Sequence, residues 1–240
     1  MGIISKIKGL KPAKTIHPPN ANFLNSDEYE KHMLKHLPFG QVYDLHEAQN
    51  RTLNYQYRHH ELNHQLGIFR WRGIYKHKAL ILKYVNDKNL KIVDLGGAAC
   101  PLGFHSDIVD FLPKDASGKA VKYKYLADLP YKADVIFTSH TLEHIEPLEE
   151  VVQQIADALV EGGHLMAHVP SFYCERWRSN IHTNRKYNDH AWTFGLSDSK
   201  IPTDLKNYLA IDTILEQQFD LSIAEFCGDD SIFIFGRKKS

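Results

Sequence analysis

The sequence predicts an α/β fold built on a doubly wound, mostly parallel sheet, and three observations carry that reading. From residue 91 onward, short apolar runs alternate with longer helical segments. The runs are near-continuous rather than strictly alternating, as "KIVDL" and "DVIF" illustrate, and strands covered on both faces read that way. Polar and small residues gather where the runs end, at Asp94–Gly97, Asp128 and Ser139–His144. Open parallel sheets bind ligands beyond the carboxyl ends of their strands.

In chain order, residues 1–40 read as irregular, interrupted by "HPPN" and "HLPFG". Within them Ser26 caps a short helical pattern with acidic residues in its first turn. Residues 43–85 read as helices broken at "GIFRWRG". Residues 1–85 are therefore assigned to an N-terminal helical cap and 86–240 to the main domain. "LKIVDLGG" is a buried strand followed by a tight turn, and "FHSDIVDFLP" carries the next. "KYKYLADLP" and "KADVIFTSH" are further strands. "PLEEVVQQIADALVEGG" is a helix, with Pro147 and two glutamates at its start and Gly162-Gly163 at its end. "HLMAHVPS" is a strand, and "TDLKNYLAIDTILEQQF" a second helix capped by Thr203 or Asp204. "LSIAEFCGDDSIFIFGRK" closes the chain as two strands around a "GDD" turn.

Composition narrows the function. Lys plus Arg and Asp plus Glu are both 29, so the formal charge is zero. A protein built to hold duplex nucleic acid carries a basic excess, so no nucleic-acid partner is expected. Cys100, Cys174 and Cys227 are scattered without a CxxC pair, which suits reduced thiols and a cytoplasmic setting. No apolar run reaches membrane-spanning length, and "MGIISKIKGLKPAK" lacks the apolar core of a signal peptide.

The turn "IVDLGGAACPLG" sets an acid before small residues, which lets an anionic or bulky ligand approach free backbone N–H groups. This arrangement resembles the class I S-adenosylmethionine-dependent methyltransferases, whose first strand ends acid-x-Gly-x-Gly-x-Gly. Asp94, Gly96 and Gly97 match; the later glycines fall on Ala98 and Cys100. Pro101 in the turn and a shortened first helix resemble the compact members that act on glycans and natural products. The stretch "ADVIFTSHTLEHIEPLEEVVQQIADALVEGGHL" resembles the same family through Asp134, Leu142, Glu143, His144, Leu159, Gly162, Gly163 and Leu165. The resemblance spans residues 91–170. It implies a seven-stranded, Rossmann-like sheet with helices on both faces, S-adenosyl-L-methionine as cofactor, and methyl transfer as the reaction.

It also implies roles. Asp94, Gly96 and Gly97 would line the donor slot together with Ser139. Asp107 would take the ribose hydroxyls, with Asp110 as its competitor. Asp128 would meet the adenine amino group while Leu129 packs on the ring.

The histidine cluster leaves three readings open. Glu143 and His144 tie loops down by hydrogen bonds. Alternatively His140, Glu143 and His144, at i, i+3 and i+4 on one helical face, hold a divalent metal. This looks like the Glu-x-x-Glu-His motif of small-RNA and ubiquinone-pathway O-methyltransferases, with His140 in place of the first Glu and His168 or His190 to complete the set. Such nitrogen-rich ligands suit Mn, Fe or Zn. In the third reading His140 or His190 is the catalytic base that removes a hydroxyl proton.

Residues 170–200, rich in Tyr, Trp, Arg, Asn and His, are expected as a substrate lid. Rings that stack and polar groups that bond hydroxyls suit a carbohydrate or small-molecule acceptor. The N-terminal helices are open to a second use as a homo-oligomer interface. Two rival readings are a nucleotide-cofactor oxidoreductase, which lacks its GxGxxG here, and a non-catalytic binding protein on the same fold.

Overall fold

A computed structural model of the chain describes residues 76–85, 87–98, 102, 105–115, 120–174, 178, 190–201, 205, 207–227 and 231–240. The expected cap lies outside them except for its end, and so do Cys100, Pro101 and most of the expected lid.

The described elements are α1 (Lys78–Val85), β1 (Ile92–Leu95), β2 (Asp107–Val109), β3 (Ala133–Ser139), α2 (Leu148–Ala158), β4 (Leu159–Pro170), β5 (Thr193–Gly195), β6 (Tyr208–Ala210), α3 (Ile211–Leu215), β7 (Phe219–Cys227) and β8 (Ser231–Lys238). Six strands form one sheet in the order β2-β1-β3-β4-β8-β7. The first four pair in parallel, and β8 runs antiparallel to both β4 and β7. β5 and β6 form a separate parallel pair.

The apolar runs alternate between two clusters, as the period of a strand demands. Val93, Ile136, Leu165 and Ile232 pack with Val152 and Ile155 of α2 and with Ile211 and Leu215 of α3. Ile92, Val135, Phe137, Met166 and Phe233 pack with Ile81 and Val85 of α1. Burying each such side chain contributes about 1.5–3 kcal/mol, so both faces of the central strands are held.

Three expectations are corrected. The segment around Tyr123, read as a strand, makes only one parallel bridge, Val109 to Tyr123, so the sheet has six strands among the described residues. Asp128 explains this: its Oδ2 accepts the N–H groups of Tyr125 (2.8 Å) and Lys124 (3.2 Å), winding Leu126–Asp128 into a 3-10 turn. Short acidic side chains divert backbone donors from a ladder in this way.

Gly162 and Gly163 do not end the helix. α2 stops at Ala158, because Leu159 is already extended and paired with Ala133. Gly162 sits inside β4 at φ +68°, against the Arg237 side chain. The expected helix over residues 203–219 is instead the strand β6, the short α3 and the start of β7. Local propensity is overridden there: β5 pairs with Tyr208–Ala210, and the Asp212 carboxylate accepts the Ser197 N–H at 3.0 Å.

Candidate active site

The turn after β1 and the segment after β3 are packed against each other. Gly96 has φ +76°, and a side chain there would overlap Thr141. Thr141 Oγ1 in turn donates to the carbonyls of Leu95 and Ser139, both at 3.3 Å. The Gly96 N–H donates to Val109 O at 2.8 Å, anchoring the turn to β2. A side chain at Gly97 would overlap the Asp94 carboxylate. Both glycines are therefore required by close approach.

Asp94 lies at the end of β1, as expected, and is 1% exposed. Its Oδ2 accepts the Leu102 N–H at 2.6 Å, closing the loop across its base. It braces the turn from beneath. Burial pushes its carboxyl up to about 7; the Leu102 bond opposes that rise and the nearby Asp110 adds to it.

Asp107 and Asp110 occupy different levels of β2. Asp107 pairs with Val93 at the strand's entry and accepts the Tyr131 hydroxyl. Asp110 follows the strand's last residue, beside the glycine turn. Its Oδ2 accepts the Ala98 N–H at 3.0 Å, and its Oδ1 accepts the Leu112 N–H at 2.8 Å. Asp128 is exposed in its 3-10 turn, and Leu129 behind it is half-buried against the apolar cluster.

The histidines converge on one carboxylate. β3 delivers Ser139; then His140, at φ +53°, reverses the chain into a 3-10 turn over Leu142–His144. Glu143 in that turn is fully buried. Its Oε1 lies 3.4 Å from His140 Nδ1, 3.9 Å from His144 Nε2 and 3.9 Å from His190 Nε2. Neither carboxylate oxygen meets a well-aligned donor among the described residues. Burial alone would push the Glu143 carboxyl up. Contact with His140 and the charges of His140, His190 and His144 outweigh it and hold the group below the usual range.

His190 reaches this point from far along the chain through backbone pairing. The Ala191 and Trp192 N–H groups donate to Glu143 O at 2.8 and 3.2 Å, and Trp192 Nε1 donates to Ile145 O at 2.8 Å. The His144 and His190 rings meet edge to face at 4.6 Å. Glu143, His144 and His190 can each offer one ligand atom, all within 4.8 Å of one another. That set differs from the expected His140, Glu143 and His144, because His140, at φ +53°, lies before the 3-10 turn rather than on one helical face with the other two. His140 instead stands edge to face with the buried His168, at 5.0 Å between centroids. Ser139 Oγ and His168 Nδ1 are hydrogen-bonded at 3.0 Å.

Sequence reasoning missed Thr141 and the brace role of Asp94. Both follow from contacts with the glycine turn that no spacing rule reports. Ser171 and Phe172 continue from β4, and Phe172 packs with Tyr173 (4.3 Å) and Phe226 (5.9 Å) to form an aromatic wall at the same end of the sheet.

A family model described as a methyltransferase domain matches residues 43–200, which is more than half of the chain and includes the glycine turn and the histidine cluster. The chain belongs to this methyltransferase family. It is an S-adenosylmethionine-dependent methyltransferase, and of the rival readings neither the oxidoreductase nor the non-catalytic binding protein is favoured. No curated protein sequence matches it. Among solved structures, an S-adenosylmethionine-dependent methyltransferase of Thermotoga maritima is 14% identical, with a TM-score of 0.52 over 77% of this chain and 95% of that one. The N-methyltransferase NodS of Bradyrhizobium japonicum, solved with S-adenosyl-L-homocysteine, is 13% identical, with a TM-score of 0.45 over 72% and 89%. At these identities the likeness is one of fold. No helix among the described residues of the methyltransferase is long and apolar enough to cross a membrane.

Proposed function

We propose that this methyltransferase transfers the methyl group of S-adenosylmethionine to a hydroxyl oxygen of a sugar or another small molecule. The observation that carries the proposal is the sealed Glu143 carboxylate ringed by His140, His144 and His190 beside the glycine turn. A hydroxyl is a poor nucleophile until its proton leaves, and a cluster of imidazoles backed by a carboxylate answers that need.

The donor occupies the slot over Gly96–Ala98, its sulfonium methyl directed at the Ser139–His144 segment. Asp110 takes the ribose hydroxyls in place of Asp107, since it stands at the level of the glycine turn whereas Asp107 lies at the entry of β2. Asp128 receives the adenine amino group, with Leu129 against the ring. The positive sulfur makes the methyl electrophilic, and the chain's task is alignment and proton removal. His140 accepts the acceptor's proton, while Glu143 fixes the imidazole and stabilises its charge. The acceptor stacks on the exposed ring of Tyr173, which the buried Phe172 and the half-buried Phe226 hold from behind, as a sugar ring does.

Glu143, His144 and His190 also suit a divalent metal. The donor set is mixed imidazole and carboxylate, and the buried carboxylate lacks a well-aligned donor among the described residues. A bound metal there would supply Lewis acidity that lowers the pKa of the acceptor hydroxyl.

The test is transfer of labelled methyl from S-adenosylmethionine to a panel of sugars and phenols, set against amines, with and without prior chelation. Label in hydroxyl acceptors supports the proposal. Label confined to amines overturns the O-methylation reading, and activity indifferent to chelation removes the metal from it.

A further inference from the structure

A second group of ligating side chains lies away from the glycine turn, where β7 ends. Glu225 and Cys227 are two residues apart on β7, and so share one face of the strand. His77, immediately before α1, packs flat on Phe233 of β8 at 4.0 Å, which fixes its ring plane. His77 Nε2 lies 2.9 Å from Glu225 Oε1. One ligand atom each from His77, Glu225 and Cys227 falls within 4.8 Å of the others. We propose that His77, Glu225 and Cys227 bind a zinc-type divalent cation that pins the start of α1 to the end of β7.

The chemistry of the three donors is complementary to such an ion. Imidazole, carboxylate and thiolate are the ligands of borderline-soft cations, and three protein ligands leave a fourth position for water. Tetrahedral zinc, at about 2.0–2.3 Å from its ligands, needs donor atoms roughly 3.3–3.8 Å apart. The present spacing closes to that by side-chain rotation, with Sγ moving inward and the His77–Glu225 pair opening slightly.

Lys76 Nζ, 2.5 Å from Glu225 Oε1, is the competitor. Its side chain is 56% exposed and can turn outward when the cation enters. The site has a position as well as a ligand set. Cys227 pairs with Ser231, which pairs with Pro170 at the carboxyl end of β4. A cation there would fix the start of α1 near the carboxyl end of β4. The cation site does not depend on the reading of the histidine cluster, whose donors include no thiolate.

Cobalt(II) titration of the chelator-treated full chain tests it, because only a thiolate ligand gives the near-ultraviolet sulfur-to-cobalt charge-transfer band. The expected result is that band in the wild type, its loss in Cys227→Ser, and its retention in His144→Ala. Glu225→Gln should weaken cobalt binding by at least about tenfold. Lys76→Gln should tighten it severalfold, and circular dichroism checks that each variant is folded. Absence of the band in the wild type, its persistence in Cys227→Ser, or weaker binding in Lys76→Gln would each overturn the proposal. A silent histidine cluster with an intact band would count against the metal at Glu143 alone.

Discussion

His140 Nδ1 stands 3.4 Å from Oε1 of a carboxylate that is itself sealed from solvent, Glu143, while the His140 side chain keeps 19% of its surface exposed. Glu143 backs the imidazole on its Nδ1 side, while His140 Nε2 is buried, so the proposed proton transfer requires the acceptor to reach that atom. Loss of a positioned general base costs about 10²–10⁴ in rate. Both His140→Ala and Glu143→Gln are expected to lower kcat within that range, with KM for the donor little changed. Steady-state kinetics with saturating donor checks this. Wild-type kcat in both variants would assign the pair to structure.

The glycine turn should tolerate no side chain. Gly96→Ala combines a strained left-handed backbone with overlap at Thr141, and each such strain costs on the order of 1–3 kcal/mol. Thermal unfolding should report that loss. The companion substitution Thr141→Ala, which removes both the hydroxyl and the methyl that a Cβ at Gly96 would strike, should recover part of it in the double variant.

Asp94 makes the stability of the protein without donor depend on pH in a direction opposite to most carboxylates. Its folded pKa of about 7 lies above the unfolded value, so the fold favours the protonated form. The stabilisation is full below pH of about 4 and is lost as pH rises through about 7, at up to ~1.4 kcal/mol per unit. Asp94→Asn keeps an acceptor for Leu102 and has no proton to lose. Denaturant melts across that window should show a falling wild-type curve and a flatter variant.

The strands around the site were legible because each ends an apolar run in a polar residue, as at Asp94 and Ser139. The glycine turn and the histidine cluster were located from those strand ends together with the resemblance to class I methyltransferases over residues 91–170. What could not be read depends on pairing between distant residues. Tyr123 sits in a strand-like run, yet the Asp128 carboxylate takes the backbone donors and leaves a single bridge. Residues 208–215 have helical spacing, yet Thr193–Gly195 recruits their first half as a strand. His140, at φ +53°, lies outside the 3-10 turn and so outside the ligand-atom set, while the backbone pairing of Ala191 and Trp192 with Glu143 brings His190 in.

Asp110 and Asp107 separate by a donor-affinity measurement. Hydrogen bonds to a charged group are worth about 1.5–3 kcal/mol, or about tenfold to a hundredfold in affinity. Calorimetry with S-adenosylhomocysteine should show that loss for Asp110→Asn and little change for Asp107→Asn. The reverse order would return the ribose to Asp107.

A crystal structure with S-adenosylhomocysteine bound tests the whole arrangement most directly. The account predicts the thioether sulfur over Gly96–Ala98, the ribose hydroxyls at Asp110, and the open side of the sulfur facing His140. Adenosyl density elsewhere on the sheet, or a sulfur turned away from the histidines, would contradict it.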